Sequence, residues 1–290
     1  MRNRVYPTAA AVLLVITALP AHAERDPWSG APVKPDKKRM TPSPITDRFY
    51  VEGIFFNPAE STTLRVDTQS PGPGLLGTPG TPLSGEKDFG LRDRNPQGRI
   101  QIMFRLRERN RLRVDYFQSD RSGNRAITRQ ILFGNETFDP GDFVSSTLEW
   151  REFALTYTYS LIRTDRFEAG LGIAVHFLEA DARGEVVAKQ LRQEVSGAGA
   201  FPTIPVDLTW RISRRFAVVG RAQYFKASVS NFNGAIGEYH GDFQYRWTNV
   251  FSLGAGYTVH KYSLDVNDAN FPGSFRMNVR GPEAFFKISF

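Results

Sequence analysis

From Arg48 onward, apolar and polar positions alternate with a period of two. Phe167, Ala169, Leu171, Ile173, Val175 and Phe177 form one face of a segment whose other face is Glu168, Gly170, Gly172, Ala174 and His176. The pattern recurs around 100–106, 153–161, 204–212 and 251–259. Such alternation marks strands with two unlike faces. Hairpin counting places them near 48–68, 89–107, 111–131, 144–162, 167–181, 199–212, 216–230, 238–247, 250–266 and 273–290. Pro58 interrupts the first, so 62–68 is the alternative start of a separate strand.

The polar face decides the architecture. It carries full charges on strand after strand, which a water-soluble core would reject, while the opposite face is too apolar for water. An inside-out arrangement satisfies both. The connections agree: tight polar turns near 107–110, 163–166, 213–215 and 248–249 alternate with longer stretches near 69–88, 134–143, 182–198, 231–237 and 267–272. Short turns on one side and long loops on the other are the asymmetry of an outer-membrane barrel. The expected fold is an all-β transmembrane antiparallel up-and-down β-barrel of about ten strands, with eight as the alternative. Its short turns are periplasmic and its long loops extracellular.

This phase sends Arg99, Arg105, Arg113, Arg211, Arg221 and Arg246 into the lumen with Glu52, Asp115, Glu152, Glu168, Asp207 and Glu283. A barrel this small is nearly filled by its own side chains. A mutually paired plug is therefore expected, with a narrow ion or solute path as the alternative. Trp247, Trp210, Phe216, Phe251, Phe167 and Phe290 lie beside the short turns and suit a periplasmic aromatic girdle. Trp150, Tyr116, Tyr224, Tyr257 and Phe177 are the candidates for the outer one.

The ends of the chain extend the picture. Arg2 and Arg4, an apolar run from Ala9 to Leu19, and Ala21-His22-Ala23 form a secretory signal peptide over 1–23, with cleavage directed by Ala21 and Ala23. Residues 24–46, rich in Pro, Lys and Ser, read as a disordered periplasmic tail, leaving 47–290 for the barrel. Phe286, Ile288 and the final Phe290 share one face. They resemble the C-terminal strand signature of bacterial outer-membrane proteins, which implies recognition by the barrel-assembly machinery. Asp120–Arg125, Ile131–Gly134 and Val144–Ser146 resemble a group of uncharacterised proteobacterial outer-membrane barrels. The plan is also similar to the small OmpW-like barrels. The resemblance spans about 48–290 and implies fold and location; the group has no assigned reaction, so it transfers no catalytic residue.

Composition adds exclusions. The formal charge is +7, but export argues against nucleic acid as the partner, and outer-membrane lipid and lipopolysaccharide are expected instead. The loops carry no motif that names a protein partner. With no cysteine, a disulfide scaffold and thiolate metal sites are excluded.

Barrel enzymes that cleave lipid or peptide need a histidine oriented by a carboxylate. The mature chain offers His176, His240 and His260. His176 and Glu179 are three apart and fall on opposite faces of a strand. His240 and Asp242 share a face, but in the order opposite to the Asp-x-His of omptin proteases. His176 and His260 are expected to fill the lumen and His240 to be a surface residue near a loop. No catalytic, cofactor or metal site is expected. The functional expectation is a structural or surface-interaction barrel or a narrow small-solute conduit, the alternative being an enzyme acting on lipid or peptide at the cell surface.

Overall fold

The structure, a computed structural model, describes residues 42–68, 78–229, 232–266 and 273–290. The expected signal peptide, the tail up to residue 41, and the cleavage residues Ala21 and Ala23 lie outside the described residues.

The period-two segments form one closed antiparallel sheet of ten staves. The first stave is split into β1 (Phe49–Phe56) and β2 (Ala59–Val66). After the two-residue β3 (Leu83–Ser84) come β4 (Gln97–Arg107) and β5 (Asn110–Ala126). A small hairpin, β6 (Ile131–Phe133) and β7 (Glu136–Phe138), leads to β8 (Phe143–Arg163) and β9 (Phe167–Val186). The remaining staves are β10 (Leu191–Arg211), β11 (Phe216–Val229), β12 (Phe232–Arg246), β13 (Phe251–Val266) and β14 (Gly273–Ser289). The barrel closes where β1 meets β14, from Tyr50 opposite Ser289 to Phe56 opposite Glu283.

Pro58 breaks the first stave because it brings no N–H to the ladder. β1 pairs with both β4 and β14, whereas β2 continues along β14 and turns its other edge to β3. Asn57 donates to Pro282 O across the break (3.1 Å). Gly281 makes that approach possible, since a Cβ there would lie 2.5 Å from Asn57 O.

Three short turns repeat one device. Thr164, Ser213 and Thr248 each accept, on the side-chain oxygen, the backbone N–H of the residue three on: Phe167 (3.0 Å), Phe216 (3.1 Å) and Phe251 (2.9 Å). The hydroxyl replaces a ladder partner at the reversal, and the phenylalanine opens the next strand at the lipid surface.

The apolar face points outward. On β8, Phe153, Leu155, Tyr157, Tyr159 and Leu161 are exposed, a stretch close to the ~9–11 residues a tilted strand needs to cross a bilayer. Above them the same face turns polar, with Arg151 and Glu149. Phe177 gives way to Glu179 on β9 and Tyr116 to Gln118 on β5. Arg151 bonds Glu149 (3.0 Å) and Glu179 (3.4 Å) at this edge. Tyr116, Tyr224, Tyr257 and Phe177 are exposed just inside the belt, and Trp210, Trp247 and Phe290 are exposed beside the short turns.

The long-loop end departs from expectation in two places. The stretch 182–198 is mostly paired strand: β9 runs to Val186 and β10 starts at Leu191, joined by one 3-10 turn over Val187–Lys189 with Gln190 at φ 54°. Likewise 231–237 belongs largely to β12. Apolar alternation fades there because the outer face has left the lipid, yet the backbone still pairs. Inward residues pay for the order: Val186, Leu191 and Val195 pack on a cluster built by Val66, Leu83, Phe89, Phe133, Phe138 and Val144.

Candidate functional site

The inward phase of every strand fills the lumen, and its contents fall into layers. At the short-turn mouth, residues 42–46 of the expected tail form a turn instead of a free segment. Thr46 and Asp47 both donate their N–H to Ser43 O, and Ser43, Ile45 and Asp47 are buried. An apolar Ile45 and a pairable Asp47 explain the burial. Asp47 accepts from Arg246 Nη2 (2.5 Å), and its carbonyl accepts from Arg105 Nε (3.1 Å).

The next layer is the most densely charged. Arg105 grips Glu168 with both terminal nitrogens (2.7 and 3.0 Å), and Ser160 donates to the same carboxylate (2.5 Å). Arg111 lies 3.7 Å from Glu168 and 3.3 Å from Asp207, which also meets Arg113 (3.4 Å). Asp207 accepts from Thr158 as well (3.0 Å), and Arg113 reaches Asp115 (3.1 Å). Across the lumen Lys287 pairs with Glu52 (2.8 Å) and sits over the Tyr50 ring. Arg211 is partly buried near the mouth. The voids around these groups hold about 30 and 10 Å³, room for little more than a water molecule.

The third layer contains the histidines. His176 Nδ1 lies 2.6 Å from Glu152 Oε1 and Nε2 lies 3.1 Å from Thr203 Oγ1. Glu152 also accepts from Tyr262. Arg99 spans Glu238 (3.4 Å) and Glu283 (3.7 Å). His240 corrects the sequence reading: it is not a surface residue but is buried in the lumen, on the inward phase of a β12 that is longer than expected. Its Nε2 is 2.7 Å from Asp242, and its Nδ1 is 2.9 Å from Thr258 and 3.0 Å from Glu283. Arg221 has no carboxylate at ion-pair distance among the described residues; it donates to Gln101 Oε1 (3.0 Å) and lies 3.3 Å from His240 Nε2.

Hydroxyl, imidazole and carboxylate in Thr258–His240–Asp242 form a relay like that of a hydrolase. Thr258 and Asp242 are as buried as the histidine, and Thr258 donates to Glu283 (2.8 Å). The two voids described above are lined by none of the three. The inward glycines near these layers relieve crowding; at Gly254 a Cβ would lie 2.1 Å from the Phe285 ring.

Above these charges part of the lumen becomes apolar, beside a second buried group in which Arg121 meets Glu60 (3.1 Å) and Glu86 (2.7 Å). Phe56, Phe117, Trp150, Leu178, Ile236, Tyr262, Met277 and Val279 pack together. Trp150 is therefore not in the outer girdle. It sits two residues from Glu152 on the inward phase of β8, stacked 5.5 Å from Phe275. Parity was the signal: an aromatic residue that shares a face with lumen charges points inward whatever its type. Beyond this layer, in the loop half of the barrel, lies an apolar cavity of about 190 Å³.

Comparison with known proteins places the fold. No family model matches the sequence, and no curated protein matches it. Among solved structures it is similar to the outer membrane protease OmpT from Escherichia coli, with a TM-score of 0.52 and 12% identity, covering 84% of this chain and 98% of that one. Weaker similarity extends to Ail, the attachment invasion locus protein of Yersinia pestis (TM-score 0.34, 8% identity, 82% and 97% covered). Neisserial surface protein A is a third (TM-score 0.31, 13% identity, 83% and 97% covered). The chain is a ten-stranded outer-membrane β-barrel.

Proposed function

We propose that the protein is a closed barrel that works from its extracellular end and passes no solute through its lumen. The layer joining Arg105, Glu168, Arg111, Asp207 and Arg113 carries this reading. Arginines and carboxylates from four staves meet there at 2.7–3.7 Å. Opening a path would strand charges that are tolerable only when paired. The turn at 42–47 stands in the periplasmic mouth and supports the same reading. Single-channel recording of the full mature protein in planar bilayers tests it. Conductance at or near the baseline is expected; a large, steady conductance would overturn the reading.

A second reading, a surface enzyme acting on lipid or peptide, draws on the His240–Asp242 contact at 2.7 Å. The burial of Thr258, whose hydroxyl donates to Glu283 (2.8 Å), weighs against it. Purified protein assayed on phospholipid, lipid A and peptide should show no turnover; activity lost in His240→Ala would reverse the order of the two readings.

A further inference from the structure

The apolar cavity at the extracellular end has the features of a ligand site. We propose that it binds a small, neutral, mainly apolar molecule carrying one hydrogen-bond acceptor, with a planar ring as the best fit.

Size comes first. At about 190 Å³ the cavity is too small for a drug-sized molecule. It is slightly larger than an apolar cavity of about 150 Å³ that accommodates benzene, so a ligand of roughly six to ten carbons would fill it.

Shape comes next. Aromatic residues line one side and very small ones the other. Trp150, stacked on Phe275, stands directly across the ladder from Ala180, and Ala180 stands across from Gly197 on β10. This row of three falls from a large ring to no side chain at all, which leaves a flat slot beside the indole.

Polarity then selects the ligand class. The lining is almost wholly apolar, and its one charged residue, Arg65, is held by Asp67 at 2.9 Å. No free cation therefore awaits a carboxylate in the lining. Trp150 is 1% exposed, yet its indole N–H has no acceptor among the described residues. A buried donor left unpaired carries a desolvation cost. A ligand carbonyl or ether oxygen would supply the acceptor that the protein does not.

Access follows from height. Trp150 lies level with Arg151, where the outer face leaves the lipid, so the cavity opens above the bilayer core on the extracellular side. It is separated from the periplasm by the charged layers, and its occupancy is independent of whether the lumen conducts.

The test uses full-length mature protein in amphipol and ligand-detected NMR with three probes of similar shape. These are acetophenone (ring plus acceptor), ethylbenzene (ring only) and benzoate (ring plus charge). Saturable binding is expected in the order acetophenone, ethylbenzene, benzoate, with a step of roughly three- to tenfold between the first two for one hydrogen bond. Ala180→Leu fills the slot and should abolish binding while the barrel keeps its heat-modifiable gel shift. Gly197→Leu is the parallel variant should Ala180→Leu fail to fold; an added Cβ at 197 meets nothing within 4 Å. Trp150→Phe should retain ring binding and erase the preference for acetophenone over ethylbenzene. Absence of saturable binding, or binding unchanged in a folded slot-filling variant, would overturn the site. A preference that survives in Trp150→Phe would overturn the role of the indole N–H.

Discussion

Arg246 Nη2 lies 2.5 Å from Asp47 Oδ2, joining residues 199 positions apart. The contact ties the segment before the first strand to the short-turn end of β12. Both side chains are buried, so neither is free to recover its hydration when the other is lost. Asp47→Ala should therefore destabilise the barrel by about 3 kcal/mol, the cost of an uncompensated buried charge. It should also release the turn at 42–47. Urea titration in lipid vesicles reads the first effect, and new trypsin cleavage at Arg48 reads the second. A variant as stable and as resistant as the wild type would show that the turn is held by other contacts.

The outward face makes an independent prediction. Ile173 is 68% exposed on β9, at mid-height of the apolar belt. Ile173→Arg places a cation in lipid and should cost about 2–4 kcal/mol. Glu179→Arg, three outward positions higher and above the belt, should cost much less. Equal penalties in vesicle-based unfolding would contradict the placement of the membrane edge between Phe177 and Glu179.

Much of this was legible because a strand's side chains alternate strictly. A single assignment of phase orients a whole stave, and Glu168 or Asp207 fixes it. At Trp150 residue type suggests a lipid interface, while its parity with Glu152 dictates the interior. His240 was misplaced for another reason. The outer extensions of β9, β10 and β12 lie in water, where neither face needs to be apolar, so the sequence period weakens although the ladder continues. The apolar cavity had no local sequence signal. It arises from Trp150, Ala180 and Gly197 coming into register across three strands, and register is set by turns far from those positions.

A pH response is expected above the membrane. Lys189 Nζ lies 2.6 Å from Asp142 Oδ1. The hydrogen bond from Lys189, with a second from the Asp139 N–H, holds the Asp142 carboxyl below its ordinary 3.8. The same bond raises Lys189 above its ordinary 10.5. A lowered carboxylate stabilises the loop above its ordinary value and ceases to do so as pH falls through the lowered one. The raised amine contributes fully below 10.5 and loses its contribution as pH climbs through the raised value. Since the chain has no cysteine, a spin label on Val187→Cys reports this turn alone. Its mobility should be low across neutral pH and rise in strong acid; adding Asp142→Asn should make it high at every pH. A mobility independent of both would remove the pair as the anchor of the turn.

The densest layer allows the sharpest energetic prediction. Glu168 accepts from both terminal nitrogens of Arg105, from Ser160, and lies 3.7 Å from Arg111. Glu168→Gln keeps the shape but removes the charge, leaving two arginines facing a neutral amide. Arg105→Met removes one of them and leaves the carboxylate to Arg111 and Ser160. Each single change should cost about 3–5 kcal/mol, since each breaks a buried pair by deleting one partner. The double variant should cost distinctly less than the two together, because the second change removes the charge the first left unpaired. Residues in one network couple by about 0.5–3 kcal/mol, and here the upper part of that range is expected because the contact is bidentate. Urea titrations of the four proteins in vesicles give the coupling directly. Simple additivity would mean that water at the mouth already solvates Arg105, and with it the argument for a closed lumen would lose its strongest layer.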